Sequence, residues 1–210
     1  FCTNPGVLVL PRGEAGAQFV HKLVQALQAI RPHAMLTTGM RHAFDQGTAA
    51  QLAAGAKALL HQPTTEVAPL AFLAEVDATT FIDQPRLHDE VFGPASLVVW
   101  SDSLDQTLAV LQAIGGSLTV TLWGADQDSE DTRRLVRAAT AVAGRVLFAG
   151  VPTGVAVTAA QQHGGPWPSS TEPFTTSVGD AAMDRFLRPV CLQDMPPWLQ
   201  ALHSSSGTTA

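Results

Sequence analysis

The chain has 210 residues, enough for one domain with its own hydrophobic core and a small appendage. A formal charge of −6 argues against a nucleic-acid-binding surface, which needs clustered Lys and Arg. The sequence shows neither an apolar run of about 18 residues that could cross a membrane nor a signal-peptide pattern. Its two cysteines, Cys2 and Cys191, make no disulfide framework, so we expect a reducing, cytoplasmic setting.

Strands and helices alternate along the chain. A short apolar run bounded by Pro-Gly and Pro-Arg-Gly predicts a buried strand over 6–10. Apolar residues at steps of three and four predict a helix over 14–30, which Pro32 ends. The remaining predicted elements are a helix over 40–54, strands over 70–76 and 96–100, a helix over 104–114 capped by the Ser-Asp-Ser at 101–103, a strand over 118–122, a helix over 126–142 and a strand over 145–148 after a stop at Gly144.

This alternation predicts the fold class. Short connections between strands and helices imply right-handed crossovers and a mostly parallel sheet with helices on both faces. We therefore expect a three-layer α/β/α domain over residues 1–179. The small, polar residues 204–210 are expected to form a disordered tail.

Three segments carry chemistry. Residues 1–6 (Phe-Cys-Thr-Asn-Pro-Gly) place a cysteine in a turn before an apolar run, and residues 89–94 (Asp-Glu-Val-Phe-Gly-Pro) place a carboxylate before an aromatic residue and a Gly-Pro bend. The third segment leads from 144–155 through 163–168 (His-Gly-Gly-Pro-Trp-Pro) to 176–179 (Thr-Ser-Val-Gly). In this order they resemble segments of the aldehyde dehydrogenase superfamily, most closely its NADP-linked branch that oxidises 2,5-dioxovalerate (α-ketoglutarate semialdehyde).

The resemblance implies that Cys2 is the catalytic nucleophile. A thiolate can attack an aldehyde carbonyl to give a thiohemiacetal, which becomes a thioester once a hydride is lost. The alternative is that Cys2 is a small buried hydrophobic residue, as most free cysteines are.

The resemblance assigns further residues to the cofactor and the substrate. It implies that the Glu90 carboxylate accepts hydrogen bonds from the nicotinamide-ribose hydroxyls of NADP or NAD, and that Phe92 packs near the nicotinamide. Phe1, Trp167 and Phe174 are candidates for the wall of an aldehyde pocket. In the alternative interpretation Glu90 is a solvated loop residue and the aromatic residues fill the core.

The resemblance also implies that the chain is the C-terminal catalytic part of a longer enzyme. No G-x-G-x-x-G pattern follows a strand, so the cofactor would be bound mainly by an N-terminal dinucleotide-binding domain missing from this chain. The isolated part is expected to be inactive. Residues 180–203 resemble the stretch that leaves the catalytic domain towards a subunit interface, which predicts an oligomerisation strand and a homodimer or homotetramer.

Two positions depart from the pattern of the family. Ala149 stands where many relatives have an asparagine, and residues 172–175 (Glu-Pro-Phe-Thr) lack the arginine that often precedes the Thr-Ser-Val-Gly run. The sequence therefore offers no cation there for a substrate carboxylate, and the identity of the aldehyde stays open. The reaction type is unaffected.

Other functions remain as alternatives. The same fold could serve as a non-catalytic interaction module that forms oligomers. A cysteine hydrolase built on Cys2 and His163 ranks last, because no third group is evident to orient the histidine, which is more often a loop residue bonded to the backbone. No histidine spacing suits zinc, so we predict no metal site.

Overall fold

The structure, a computed structural model, describes residues 4–62 and 67–205. Its elements, in chain order, are β1 (Val7–Pro11), α1 (Glu14–Gln28), α2 (Thr38–Ala53), β2 (Lys57–Leu60), β3 (Phe72–Asp77), α3 (Ala78–Asp83), β4 (Ala95–Ser101), α4 (Leu104–Ile114), β5 (Ser117–Thr121), α5 (Glu130–Val142), β6 (Ala143–Leu147) and α6 (Pro197–Ser205). Short 3₁₀ helices cover Pro85–Leu87 and Asp180–Phe186.

The strands form two sheets. The first has four strands in the order β1-β4-β3-β2, and the second pairs β5 with β6. β1 and β3 both run parallel to β4, β5 runs parallel to β6, and β2 pairs with β3 in the antiparallel direction. The prediction of a mostly parallel α/β fold is therefore confirmed, although the sequence did not indicate the antiparallel strand or the division into two sheets.

The central strand β4 shows why the sheet needs helices on both faces. Its residues Leu97 and Val99 contribute to one core cluster, and Val98 and Trp100 contribute to another. Leu97, Val98 and Val99 are fully buried, because neither face of a parallel sheet is left to solvent. The first cluster also receives residues of α2, α3 and α4, whereas α1 covers the second, which accounts for the three layers.

Local signals set several boundaries. The Ser103 hydroxyl accepts a hydrogen bond from the Gln106 amide and caps α4, as the sequence predicted. α5 begins later than predicted, because Ser129 caps it in the same way. The predicted stop at Gly144 is wrong, since this glycine lies inside β6.

The C-terminal segment differs from the predicted strand. Among the described residues of 180–203, the chain forms a 3₁₀ helix, a stretch over 187–196 that is neither helix nor strand, and the start of α6. α6 continues to Ser205, so the first two residues of the predicted disordered tail are helical, and the rest of that tail lies outside the described residues. Within the described part of the chain, no helix is long and apolar enough to span a membrane.

Candidate active site

The predicted nucleophile and its neighbour lie outside the described residues. Cys2 and Phe1 precede Asn4, where the structural description begins. Their roles therefore stay predictions, and the surroundings of Cys2 are inferred only from the residues that follow it.

The structure brings the first two motif segments together. Asn4 Nδ2 donates hydrogen bonds to the carbonyl oxygens of Ala95 at 3.1 Å and Gly93 at 3.4 Å, although 91 residues separate Asn4 from Ala95. Next to this contact, Ser96 Oγ donates to the Pro5 carbonyl oxygen at 2.6 Å. The parallel pairing of β1 with β4 explains the meeting, because the residues before two parallel neighbours reach the same edge of a sheet.

The Glu-x-Phe-Gly-Pro segment is held in a defined conformation. Gly93 has a φ of +145°, which side chains rarely allow, and a Cβ there would lie 2.6 Å from Cδ2 of Phe44. The Ala95 amide donates to the Gly93 carbonyl oxygen at 2.8 Å, and the Phe72 amide donates to that of Pro94 at 2.8 Å. The segment is therefore fixed to the start of β4 on one side and to β3 on the other.

The two cofactor-side candidates are accessible. Glu90 is exposed and forms no hydrogen bond or ion pair with any other described residue. The neighbouring Asp89 differs, because it pairs with Arg86 at 3.5 Å on the surface. Phe92 is 43% exposed, so it does not fill the core as the alternative interpretation proposed. A free carboxylate suits a pair of ribose hydroxyls, so the residues present fit the cofactor that the resemblance implies.

The His-Gly-Gly-Pro-Trp-Pro loop packs against the amino ends of β5 and β6. A Cβ on Gly144 would lie 2.7 Å from the Gly164 carbonyl carbon, and one on Gly116 would lie 2.5 Å from that of Trp167. Only glycine permits such close approaches of backbone to backbone. This contact explains why β6 contains Gly144, and it anchors the loop at the starts of two parallel strands.

His163 is held by the backbone. Its amide donates to the Thr176 hydroxyl at 2.8 Å, and its carbonyl oxygen accepts from the Ser177 amide at 3.0 Å. Nδ1 of the ring is buried without a hydrogen-bond partner in the described chain, so no carboxylate orients the imidazole. The geometry gives no support to a hydrolase in which His163 acts as the base.

Trp167 and Phe174 are 73% and 95% exposed, so neither fills the core. A small cavity of about 130 Å³ lies beside the loop, but these two aromatic residues do not line it. The cavity is mostly polar and is lined by Leu118, His163, Gly164, Ser169, Ser170, Thr175, Ser177 and Arg185. The assignment of Trp167 and Phe174 to the wall of an aldehyde pocket stays a prediction.

Arg185 is the residue that the sequence reasoning missed. It lines the polar cavity, and its guanidinium forms no ion pair within the described residues, its recorded contact being with the Phe186 ring. The sequence analysis looked for a cation within 172–175, next to the Thr-Ser-Val-Gly run. Arg185 follows the Thr-Ser-Val-Gly run instead, in the 3₁₀ helix that begins after Gly179. Its position in that helix is the one sequence signal that could have indicated it.

The opposite edge of the four-stranded sheet carries ion pairs. Arg12, which follows β1, donates to the carboxylates of Asp77 at the end of β3 and of Asp102 just after β4. Hydrogen bonds to Asp102 and then Asp77 raise the pKa of Arg12 above its ordinary value. The Arg12 guanidinium relieves the repulsion between the Asp77 and Asp102 carboxylates. The first two motif segments lie at the other end of these strands, where β1 and β4 begin.

No group of three or more His, Cys, Asp or Glu side chains able to hold a metal ion occurs within residues 4–62 and 67–205. A groove of about 590 Å³ lies between α4 and α5. None of the residues that line it belongs to the motif segments. The candidate site therefore rests on the loops at the amino ends of the parallel strands.

Comparisons with known proteins show which proteins the chain resembles. No protein-family model matches the chain. It is 40% identical over 204 residues to α-ketoglutaric semialdehyde dehydrogenase 2 of Azospirillum brasilense, and 37% identical over 198 residues to α-ketoglutaric semialdehyde dehydrogenase of Acinetobacter baylyi. These alignments include 93% and 92% of this chain, which spans only 38% of the length of each relative.

Solved structures show the same relation at the level of the fold. Lactaldehyde dehydrogenase from Escherichia coli matches 87% of the chain with a TM-score of 0.67 and 17% identity, and the match covers 38% of that protein. Aldehyde dehydrogenase 21 from Physcomitrella patens matches 90% of the chain with a TM-score of 0.67 and 16% identity, again over 38% of its length. The chain is therefore similar in sequence to part of these two semialdehyde dehydrogenases, and in fold to part of these solved aldehyde dehydrogenases.

Proposed function

We propose that the protein of which this chain forms a part oxidises an aldehyde and water to a carboxylic acid, with NADP or NAD as hydride acceptor. The supporting observation is the contact between residues 4–6 and 93–96, which brings the segment that carries Cys2 beside the segment that carries Glu90. A nucleophile and a cofactor-holding carboxylate must lie close together for hydride transfer. The contact between residues 4–6 and 93–96 supports this requirement, because it joins two segments that are distant in sequence.

The chain's own residues supply part of the chemistry. The Cys2 thiolate attacks the carbonyl carbon and forms a C–S bond, and the resulting thiohemiacetal loses its hydride to give a thioester. The cofactor, when bound, accepts that hydride. Water then cleaves the thioester, which releases the acid and restores the thiol. Glu90 would hold the ribose hydroxyls, and Phe92 would limit the movement of the nicotinamide ring.

We infer that the substrate is an acidic semialdehyde such as α-ketoglutaric semialdehyde. The named substrate of the two bacterial relatives suggests it, and Arg185 provides an unpaired cation in the polar cavity. Ser169, Thr175 and Ser177 already donate their hydroxyl protons to backbone carbonyl groups, so Arg185 is the charged donor left for a carboxylate. An Arg185→Gln variant should raise KM for the acidic semialdehyde at least tenfold and leave KM for a neutral aldehyde within twofold. Equal changes for both substrates would exclude this role.

The C-terminal segment favours an oligomer. Phe186, Leu187, Val190 and Trp198 are each more than 60% exposed, and such a concentration of apolar surface marks interaction sites. We propose that residues 180–203 pack against a second subunit, in the reducing cytoplasm, where both cysteines stay reduced. Light scattering of the full-length protein should give a dimer or tetramer, and replacing Phe186 and Leu187 by serine should shift it towards monomer. An unchanged mass would refute this contact.

The exposed apolar surface also favours a second candidate, a non-catalytic module that only forms oligomers. The full-length protein with Cys2→Ala discriminates, assayed by formation of reduced nicotinamide from semialdehydes with NADP and with NAD. Loss of turnover in Cys2→Ala, with retention in the matched variant Cys191→Ala at the exposed cysteine, supports the dehydrogenase. Normal turnover in Cys2→Ala would reject it. A wild-type protein that forms oligomers but oxidises no aldehyde would favour the module.

A further inference from the structure

We propose that Asn4 is a positioning residue that sets the distance between the nucleophile and the cofactor-side loop. This inference rests on the proposed function. It concerns the side-chain amide of Asn4, which lies two positions after Cys2 and bonds to the segment that follows Glu90.

The connection extends beyond the backbone ladder. The paired register of β1 with β4 begins at Val7 and Leu97, and the backbone hydrogen bond before it runs from the Leu97 amide to the Gly6 carbonyl oxygen at 2.9 Å. Asn4 Nδ2 adds a side-chain donor ahead of this bond, since it reaches the Ala95 carbonyl oxygen at 3.1 Å.

The receiving carbonyl groups belong to the rigid part of the loop. The Gly93 carbonyl oxygen accepts from the Ala95 amide at 2.8 Å and uses its second lone pair for Asn4 at 3.4 Å. Ser96 adds a bond in the opposite direction, to Pro5. Donors and acceptors therefore alternate across the junction.

The chemistry of this contact requires a hydrogen-bond donor without a negative charge. Both Asn4 bonds to this loop are donated to carbonyl oxygens, so an aspartate would offer no donor and would place a negative charge against two carbonyl dipoles. Cys2 lies two residues before Asn4 in the sequence, so this contact would act as a tether between the nucleophile and the cofactor-side loop. Loss of the tether would let the thiol and the cofactor-side loop move independently. A misplacement of about 1 Å can cost roughly 100-fold in rate.

The experiment uses the full-length protein with Asn4→Ala, Asn4→Asp and Asn4→Ser. The matched control is Ser103→Ala, which removes one side-chain-to-backbone bond at the other end of β4. Three quantities are measured: kcat, KM for the nicotinamide cofactor, and the rate at which iodoacetamide alkylates Cys2 without cofactor, read from the Cys2 peptide by mass spectrometry.

We expect Asn4→Ala to lower kcat at least tenfold and to raise the cofactor KM several-fold, with Cys2 alkylation within twofold of wild type. Asn4→Asp should be worse, and Asn4→Ser, which keeps one donor, should recover part of kcat. Ser103→Ala should lower thermal stability and leave all three quantities unchanged. Should Asn4→Ala fail to fold, Asn4→Ser against Ser103→Ala decides the question.

Two outcomes would overturn the role of Asn4. The first is an unchanged kcat and an unchanged cofactor KM in Asn4→Ala. The second is a fall in kcat that matches the loss of thermal stability in both Asn4→Ala and Ser103→Ala, together with a matching change in the rate of Cys2 alkylation. In either case an inactive Cys2→Ala protein leaves the proposed function intact. An active Cys2→Ala protein removes the proposed function itself, whatever Asn4 does.

Discussion

Replacing Gly93 by alanine tests whether the Glu-x-Phe-Gly-Pro segment depends on its backbone conformation. The backbone φ of +145° disfavours any side chain, at a cost of about 1–2 kcal/mol. The new Cβ would also lie 2.6 Å from Cδ2 of Phe44 and 3.2 Å from Cε of Met35, and overpacking of this kind costs about 1–3 kcal/mol. The two effects together predict a local destabilisation of about 2–5 kcal/mol.

Hydrogen exchange measures this effect directly in the intact protein. The amides of Phe72 and Ala95 donate to carbonyl groups of this segment, so their exchange should accelerate more than tenfold in Gly93→Ala. Gly124→Ala is the matched control, because Gly124 has a φ of +77° and nothing within 4 Å of an added Cβ. It should show only the backbone cost, confined to its own loop. Unchanged exchange at both reporter amides in Gly93→Ala would refute the reasoning, and so would an unchanged cofactor KM.

Further predictions concern other contacts. Gly144→Ala should push the adjoining Gly164 loop off the end of β6, so limited proteolysis should cut that loop faster, and an unchanged cleavage rate would contradict the close approach. Trp100→Phe removes the bond from Nε1 to the Glu75 carboxylate at 2.8 Å and should lower the free energy of unfolding by about 1–3 kcal/mol in urea titrations; no loss would mean that the bond is not formed. Hydrogen bonding to Arg133 lowers the pKa of Asp128. Its contribution to stability is therefore present above the ordinary carboxyl pKa and lost as the pH falls through the lowered value, and NMR titration of Arg133→Gln should return that pKa to normal.

Strong local signals made much of the fold predictable. The apolar run at 6–10 corresponds to β1, and the predicted strand over 118–122 differs from β5 by one residue at each end. The Ser103 cap was predicted because a serine before an apolar periodic run leaves few alternatives. These elements are specified by residues close to them in sequence.

Elements that depend on distant partners were missed. β2 consists of Lys-Ala-Leu-Leu, which shows no strand alternation, and it is a strand because it pairs with β3. α3 is too short for a helical period to emerge. Gly144 looked like a signal that ends a helix, but a glycine is needed there because the backbone of Gly164 approaches closely. No local sequence pattern indicates this contact.

The candidate site was predictable as a set of motifs and not as a geometry. The sequence indicated Glu90 and Phe92 through a resemblance, and the structure leaves both accessible at one edge of the sheet. It could not indicate that Asn4 bonds to the Gly93 and Ala95 carbonyl groups, because that contact exists only once β1 and β4 are in register. Arg185 was missed for the same reason, since a loop fold brings it to the polar cavity.

The position of the motif segments has a structural consequence. In open parallel sheets, ligands usually bind beyond the carboxyl ends of the strands. Here the segments at 4–6 and 90–94 lie at the amino ends of β1 and β4, and the segment at 163–168 lies at those of β5 and β6, whereas the Arg12 ion pairs join the carboxyl ends of β1, β3 and β4. The residues just before a strand are held by the first hydrogen bonds between that strand and its neighbour. Their position therefore depends on the register in which the two strands pair. A one-residue shift of β1 against β4 would move Asn4 away from its carbonyl partners, so the contact between the segments at 4–6 and 93–96 depends on strand register.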